Sequence, residues 1–240
     1  MEYISQSTAT NTSILDYGCG EGTMVISGLK NNLNIYGTDV FYGGSNSSKN
    51  KVTESGLYNK KIFEIKNNKI PFPDSHFDLV ISNQVFEHVE SLDDTLKEIS
   101  RVLKNKGILI STFTPKESFL EDHCGIPFLH WFKPSSKIRF YYALLIRLLG
   151  FGHFKQNKSP KQWVSDFLTW LDKYTYYRTK LEISETFSKY FSINQSIKDK
   201  FLLFVIAKHK IPLLGNLVKH TFIKHIANNF ENIILLSKKN

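Results

Sequence analysis

The chain has few cysteines and no long apolar run, and both absences limit the classes of protein to which it can belong. Its 240 residues include only Cys19 and Cys124, which give neither a metal-ligand spacing nor a disulfide framework. No stretch of 18 apolar residues is present to cross a bilayer. The opening residues MEYISQSTAT lack the charged and then apolar pattern of a secretory signal. We therefore expect no metal site and a cytoplasmic location.

The positive charge of the chain is unevenly distributed. Residues 1–112 hold 11 Lys and Arg against 13 Asp and Glu, whereas residues 113–240 hold 20 against 9. A basic half can attract nucleic acid, anionic lipid or a phosphate-bearing small molecule. No dense basic block or RNA-binding module is visible. We therefore expect no nucleic-acid partner, and an unpatterned lysine-rich surface is the alternative reading of the charge.

Short apolar runs alternate with helical patterns in the first half, which is typical of a parallel sheet with crossover helices. The predicted strands are SILDYG, NIYGTDVF, KKIFEIKN, FDLVISNQVF and GILISTF. Helices are predicted for GTMVISGLKN and for SLDDTLKEISRVLKNKG, the second capped by Ser91 and closed by Lys104, Lys106 and Gly107. The Gly/Ser/Asn-rich segment FYGGSNSSKNK is predicted to be a loop.

The pattern changes from about residue 115 to 185, where the chain is aromatic-rich and mostly helical in its spacing. This change indicates an inserted helical cap. After it, ISETFSKYFSINQSIKDKF predicts a helix entering a sixth strand, and FENIILLSKKN predicts the last strand. The return to sheet elements favours one interrupted domain over two consecutive domains.

Three glycines follow the first strand at alternate positions in SILDYGCGEG. Without Cβ atoms, Gly18, Gly20 and Gly22 allow a sharp turn and let a ligand lie against the backbone. Asp39 ends the second strand 23 residues after Asp16, where α/β nucleotide sites place the carboxylate that holds ribose hydroxyls. A turn that uses glycine for structure alone is the alternative. The order D-x-G-x-G-x-G differs from the dinucleotide pattern G-x-G-x-x-G.

Four segments in order resemble the motifs of class I S-adenosylmethionine-dependent methyltransferases of the type 11 group. They are ILDYGCGEG, TDV, IPFPDSHFDLVISNQVFEHV and LKEISRVLKNKGILIST, within residues 13–112. The resemblance implies an α/β, Rossmann-like fold: a seven-stranded, mostly parallel sheet with helices on both faces and the helical cap insertion, in a single domain over residues 1–240. It also implies S-adenosylmethionine as the cofactor.

The resemblance also assigns cofactor-binding residues. They are Asp16, Gly18, Cys19, Gly20, Gly22, Asp39, Val40, Asn67, Asn68, Asn83, Gln84 and His88. One departure concerns adenine, because the family usually has an Asp before IPFPD that accepts the adenine amino group, and this chain has Lys66, Asn67 and Asn68 there. An amide oxygen of Asn67 or Asn68 is the expected replacement.

Candidate catalytic residues follow the fifth strand. Methyl transfer needs mainly alignment of the acceptor with the methyl group, but a hydroxyl acceptor must also lose a proton to a base. The candidates in ESFLEDHCGIPFLHWF are Glu121, Asp122, His123 and His130, with His123 first and Asp122 as the neighbour that raises its basicity. Structural roles are the alternative for both histidines. A base role for His88 is a weaker hypothesis.

The segment HCGIPFLHWFKPSSKIRFYY resembles a stretch of methyltransferases from cell-surface polysaccharide gene clusters. It favours O-methylation of a sugar hydroxyl or a cell-envelope glycan precursor. Its aromatic residues could stack on a sugar ring or form the core of the cap, and Lys133, Lys137 and Arg139 could pair with phosphate. FYYALLIRLLGFGHF reads as an amphipathic helix, so a lipid-linked acceptor would add a peripheral membrane contact.

Three other functions are left open by the sequence. One is methylation of a lipid-soluble or aromatic small molecule with the same cofactor loop. Another is RNA methylation, suggested only by the basic half. The last is a methyltransferase-like fold without catalysis, kept as a binding subunit, against which the intact Asp16, Gly18, Gly20 and Asp39 speak.

Overall fold

A seven-stranded sheet forms the centre of the molecule. The computed structural model describes residues 12–42, 46–193 and 233–240. The strands of the main sheet are β1 (Ser13–Tyr17), β2 (Asn34–Asp39), β3 (Ile62–Glu64), β4 (Phe77–Asn83), β5 (Leu103–Phe113), β8 (Phe191–Ile193) and β9 (Ile233–Lys239). Their order across the sheet is β3-β2-β1-β4-β5-β9-β8. The first five strands are parallel, and β9 pairs antiparallel with both β5 and β8. The predicted α/β class and mostly parallel sheet are confirmed.

Six helices lie within the described residues. They are α1 (Thr23–Lys30), α2 (Asn46–Glu54), α3 (Leu92–Val102), α4 (Lys137–Leu148), α5 (Pro160–Tyr174) and α6 (Lys180–Ser188). Single 3-10 turns occur at Phe86–His88 and Leu129–Trp131, and a two-stranded hairpin pairs β6 (Leu120–Glu121) with β7 (Ile126–Pro127). No helix in these ranges is long and apolar enough to cross a membrane.

Alternate residues of the central strands bury opposite faces of the sheet. Leu15 belongs to the apolar cluster that contains Leu96 of α3 and Phe187 of α6. Its neighbour Ile14 belongs to the cluster that contains Val25 of α1. Because side chains alternate along a strand, this division puts helices against both faces. Each fully buried Leu or Ile contributes about 1.5–3 kcal/mol to folding by leaving water.

The helix before β5 ends earlier than the sequence predicts. Ser91 caps α3 as expected, and its hydroxyl accepts a hydrogen bond from the N–H of Asp94. The prediction that Lys104, Lys106 and Gly107 close the helix is wrong, because α3 ends at Val102 and these residues belong to β5. Leu103 is fully buried and pairs with Phe77, so burial of this side chain starts the strand early.

The predicted loop after β2 also contains a helix. Asn46–Glu54 is helical although most of its residues are polar. Its Val52 is fully buried and belongs to one apolar cluster with Ile62 of β3. One buried side chain on a short helix leaves no apolar periodicity for the sequence to reveal. Residues 43–45 of the predicted loop lie outside the described residues.

The segment between β5 and α6 has a small core of its own. Ala143 of α4 packs with Trp163 and Leu171 of α5 and with Cys124 in one buried cluster. The predicted helix entering a sixth strand is confirmed by α6 and β8, although the end of that prediction, residues 194–201, lies outside the described residues. The predicted last strand is confirmed by β9.

Candidate cofactor and active site

A cavity of about 450 Å³ opens at the carboxyl ends of β1, β2 and β4. In the strand order, β2 and β3 lie on one side of β1, and β4 and β5 lie on the other. Open α/β sheets bind ligands at the point where the strand order reverses in this way. The volume is within the usual range for a small-molecule site. The lining residues are Tyr17, Gly18, Gly20, Asp39, Val40, Tyr42, Ser48, Ile65, Asn68, Gln84, Val85, His88, Val89, Glu90, Ser91 and Thr95.

The glycine loop forms the floor of this cavity. Gly18, Gly20 and Gly22 all have positive φ, at 75°, 52° and 78°. A Cβ on Gly18 would lie 2.7 Å from a methyl carbon of Val85, whereas a Cβ on Gly20 would have no heavy atom within 4 Å. Gly18 therefore serves the close packing of the loop, while Gly20 leaves space beside its backbone for a ligand.

Asp39 fixes this loop through its carboxylate. Oδ2 accepts a hydrogen bond from the N–H of Gly20 at 2.9 Å, and Oδ1 accepts one from the N–H of Phe41 at 2.8 Å. The N–H groups of Gly18 and Cys19 both donate to the carbonyl oxygen of Thr38. Each carboxylate oxygen keeps acceptor capacity for a ligand hydroxyl. Val40 lies beside it on the cavity wall and is 45% exposed.

Asp16 is buried at the end of β1, next to but not among the residues that line the cavity. Burial and then the charge of Asp39 raise the pKa of its carboxyl to about 7. Cys19 and Gly22 do not line the cavity either. The Cys19 side chain packs in the apolar cluster of β1 and β2, and burial raises the pKa of its thiol. Gly22 caps α1 in a left-handed conformation.

Of the two amides predicted to replace the adenine-binding Asp, the structure brings only one to the cavity. Asn67 and Asn68 form a tight turn between Lys66 and Lys69, with φ of 51° and 55°. Asn68 lines the cavity and Asn67 does not. Asparagine adopts this left-handed conformation more readily than most residues, so the turn itself accounts for Asn67.

The residues after β4 divide in the same way. Gln84 lines the cavity in a left-handed conformation, with φ of 55°, and its N–H donates to the carbonyl oxygen of Thr112. Asn83 does not line the cavity, and its side-chain oxygen accepts a hydrogen bond from the Thr112 hydroxyl. Gln84 therefore faces the cavity, whereas the Asn83 side chain is hydrogen-bonded to Thr112 outside it.

Arg178 holds the 3-10 turn that follows Gln84. Its guanidinium donates to the carbonyl oxygens of Phe86, Val89 and Glu90 at 3.1, 2.6 and 2.7 Å. Because Val89 and Glu90 line the cavity, this arginine fixes one cavity wall to the chain that follows α5. No motif or spacing in the sequence indicates this role for Arg178.

His88 lines the cavity and connects it to a buried polar cluster. Its Nδ1 lies 2.7 Å from the carbonyl oxygen of Tyr174, and its Nε2 lies 3.1 Å from Nε2 of His123. Nδ1 of His123 lies 2.6 Å from Oε1 of Glu121. Burial opposes a charge on His123, but the hydrogen bond with Glu121 and the charges of the nearby acidic side chains together outweigh it and raise the pKa of the imidazole.

Glu121 is the acceptor that anchors this cluster. Its carboxylate is fully buried and accepts hydrogen bonds from the Tyr177 hydroxyl and the N–H of Cys124 as well as from His123. Burial opposes ionisation, yet these hydrogen bonds lower the pKa of Glu121 to about 2. The sequence predicts that Asp122 raises the basicity of His123, and its charge does so, but the hydrogen-bond partner of His123 is Glu121. Asp122 accepts a hydrogen bond from Thr114 and contributes only a smaller charge effect on His123.

The structure indicates structural roles for His130 and for two residues predicted to bind phosphate or stack on a sugar, Arg139 and Tyr142. His130 is buried, its ring lies 4.8 Å from that of Tyr177, and burial lowers the pKa of its imidazole. Arg139 is also buried and forms an ion pair with Asp172, so it is not free to bind phosphate. Tyr142 packs against the core of α4 and α5, whereas Trp131 and Tyr141 are exposed.

Glu87 is a buried acidic residue beside the cavity that the sequence motifs do not single out. Its side chain is 2% exposed, and no other described residue donates a hydrogen bond to either carboxylate oxygen. Burial raises the pKa of this carboxyl to about 7. Glu87 follows the cavity residues directly in sequence, but nothing in the motif FEHV indicates that its carboxylate turns away from the solvent.

Comparisons with known proteins agree with this geometry. Residues 15–111 match the family model described as a methyltransferase domain. An uncharacterised protein of Methanocaldococcus jannaschii is 33% identical over 130 residues, which are 51% of this chain and 50% of that protein. A sterol 4-C-methyltransferase of Caenorhabditis elegans is 30% identical over 135 residues, 50% of this chain and 40% of that protein. The chain thus matches half or less of the length of these relatives.

A solved structure shows the same fold over most of the chain. An S-adenosylmethionine-dependent methyltransferase from Mesorhizobium loti superimposes with a TM-score of 0.52 and 14% identity, covering 96% of this chain and 91% of that one. The match over residues 15–111 places a methyltransferase domain in this part of the chain, in agreement with the resemblance found in its motifs. The domain match implies S-adenosylmethionine as the cofactor. The cavity fits it, with open space beside Gly20 and a carboxylate at the end of β2.

Proposed function

We propose that the chain transfers the methyl group of S-adenosylmethionine to a hydroxyl of a small polar acceptor, in particular a sugar or a cell-envelope glycan precursor. The observation that carries the proposal is the position of His88, which belongs both to the cofactor cavity and to the polar cluster of His123 and Glu121. A hydroxyl is the acceptor that most needs such a cluster, because its proton must leave during the transfer.

The residues around the cavity divide the work of binding. Asp39 would accept hydrogen bonds from the ribose hydroxyls, and Asn68 would accept the adenine amino group. The Gly18–Gly20 turn would hold the methionine portion, with Asp16 behind it. When bound, S-adenosylmethionine supplies an electrophilic methyl group on a sulfonium, so the protein has mainly to orient the acceptor and exclude water.

An apolar or aromatic acceptor is the second candidate. A row of aromatic rings leads from the cavity into the segment after β5. The ring centroid of Tyr42 lies 5.1 Å from that of Tyr174, and the ring centroid of Tyr174 lies 5.8 Å from that of Trp170. The sterol 4-C-methyltransferase among the relatives acts, by its name, on carbon. Rings of this kind bind sugars as well as apolar molecules, so the acceptor panel has to include both classes.

The acceptor class can be tested by transfer of a labelled methyl group. The purified chain would be incubated with tritiated S-adenosylmethionine and a panel of nucleotide sugars, oligosaccharides, quinols and sterols. We expect label in a sugar-containing product, and its loss with Asp39→Ala. Label only in quinols or sterols would favour the second candidate. Cofactor binding without transfer to any acceptor would favour a non-catalytic binding subunit.

The lipid-linked form of the acceptor stays a prediction. Helix α4 and the chain after it expose Ile138, Leu145, Leu148 and Leu149, each more than half exposed. Such a face agrees with a peripheral membrane contact, although it does not identify the acceptor. Adding a polyprenyl-phosphate sugar to the panel would test this prediction directly.

A further inference from the structure

We infer that Glu87, His88 and His123 bind a divalent transition-metal ion beside the cofactor cavity. The three side chains offer one carboxylate oxygen and two imidazole nitrogens, and these ligand atoms all lie within 4.8 Å of one another. The expectation of no metal site rests on the two cysteines, and His88 and His123, which are 35 residues apart, form no familiar ligand spacing either. Only the fold brings them together.

The two histidines have the geometry of metal ligands. Their Nε2 atoms face each other at 3.1 Å. Two imidazole nitrogens bound to one tetrahedral Zn²⁺ at about 2.0–2.1 Å would be separated by about 3.3–3.4 Å. A pair of ligands poised around one ion therefore needs little movement to bind it.

The outer nitrogens of both rings have the partners that metal-binding histidines use. Nδ1 of His88 donates to the carbonyl oxygen of Tyr174, and Nδ1 of His123 donates to the carboxylate of Glu121. Ligating histidines usually donate their second N–H to a carbonyl or carboxylate, which fixes the ring and the tautomer. When both Nδ1 atoms carry a proton, both Nε2 atoms present lone pairs to the same point. Either a proton or a metal ion must then lie between them.

Glu87 distinguishes a metal ion from a proton at that point. A proton shared by the two Nε2 atoms would leave the Glu87 carboxylate, which is 2% exposed, without a partner among the described residues. A buried carboxyl group without a hydrogen-bond partner is costly in its neutral form and more so in its ionised form. A metal ion between the histidines would satisfy both groups at once, and Glu87 adjoins His88 in the same 3-10 turn.

The donor set defines the class of ion. Two imidazoles and one carboxylate suit Zn²⁺, Fe²⁺, Co²⁺ or Mn²⁺, whereas Ca²⁺ and Mg²⁺ prefer oxygen ligands alone. Three protein ligands leave positions for water or substrate, as in catalytic metal sites. The role of the ion rests on the proposed function: because His88 lines the cavity, a metal-bound acceptor hydroxyl would lose its proton more readily.

Metal binding can be measured without the methyl-transfer reaction. The full chain would be stripped with a chelator and titrated with ZnCl₂ by calorimetry, and with CoCl₂ while the visible spectrum is recorded. We expect one equivalent of each ion, with Co²⁺ absorption bands typical of nitrogen and oxygen ligands. Glu87→Gln, His88→Ala and His123→Ala should each weaken Zn²⁺ binding at least 100-fold, and Glu121→Gln should weaken it about 10- to 100-fold.

Controls separate a lost ligand from a lost fold. His76→Asn changes a histidine that packs against Tyr36 and Phe72, away from the cluster, and should leave Zn²⁺ binding unchanged. Glu87→Gln keeps the volume of the side chain, and circular dichroism and S-adenosylhomocysteine binding would show that each variant is folded. Absence of a stoichiometric Zn²⁺ or Co²⁺ equivalent in the wild type, or full binding by folded Glu87→Gln, would overturn the inference. If the metal inference fails, binding of S-adenosylmethionine by the chelator-treated protein would still support the methyltransferase proposal.

Discussion

Two glycines of one loop should respond differently to the same substitution. In Gly18→Ala the added Cβ lies 2.7 Å from a methyl carbon of Val85, while the backbone has φ of 75°. Overpacking costs about 1–3 kcal/mol, and a left-handed conformation costs an alanine about 1–2 kcal/mol. The expected loss of unfolding free energy is therefore about 2–5 kcal/mol, or roughly 4–20 °C in Tm for a chain of this size.

Gly20→Ala should retain the fold but lose the ligand. Its Cβ contacts no heavy atom within 4 Å, so only the left-handed conformation, with φ of 52°, opposes it. We expect a loss of about 1–2 kcal/mol in stability and at least a tenfold weaker affinity for S-adenosylhomocysteine, because the methyl group occupies space beside the cavity floor. Thermal unfolding and calorimetric titration of both variants measure the two effects. Unchanged ligand affinity in folded Gly20→Ala, or wild-type stability in Gly18→Ala, would refute the division of roles.

Three further predictions concern single side chains. Asp39→Asn replaces a carboxylate that accepts two backbone hydrogen bonds. It should weaken S-adenosylhomocysteine binding about 10- to 150-fold, which corresponds to about 1.5–3 kcal/mol for a hydrogen bond to a charged group. A calorimetric affinity within twofold of the wild-type value would contradict this prediction. The pKa of Asp16 is raised to about 7 by burial and by Asp39, so its ionisation should destabilise the ligand-free fold progressively from about pH 4 to pH 7. Asp16→Asn should therefore gain stability relative to wild type between pH 4.5 and pH 8 in urea unfolding, and an equal difference at both pH values would count against the assignment. Arg178→Met removes the hydrogen bonds that the guanidinium donates to four backbone carbonyls and should lower stability by about 2 kcal/mol or more. Exposed Lys161→Met is the control, and equal melting temperatures for the two variants would contradict the role of Arg178.

The sequence predicts the sheet well because its strands carry their own signal. Ile14, Leu15, Val80 and Leu109 are apolar residues in runs short enough for strands, and all are buried in the sheet. The glycine loop and Asp39 are predictable for a similar reason, since turn and strand end lie close together in sequence. In contrast, α2 has one buried residue, Val52, and such a helix produces no readable pattern.

The polar cluster is less predictable because its members come from distant segments. His123 is a natural candidate from its position after β5, but a sequence cannot show that its Nδ1 meets Glu121 rather than the adjacent Asp122. The β6–β7 hairpin decides this, since it places Glu121 opposite Ile126 and buries its carboxylate. Tyr177 reaches the same carboxylate from 56 residues away. Tertiary packing, rather than local propensity, selects these contacts.

The central claim is that the cavity between β1, β2 and β4 binds S-adenosylmethionine. Calorimetric titration of the cofactor into the purified full chain, at neutral pH and moderate salt, tests it most directly. One equivalent should bind with a dissociation constant on the order of 1 μM or tighter, and the binding should disappear in Asp39→Ala. Absence of heat and of any thermal shift in the wild-type chain at millimolar cofactor would contradict the account.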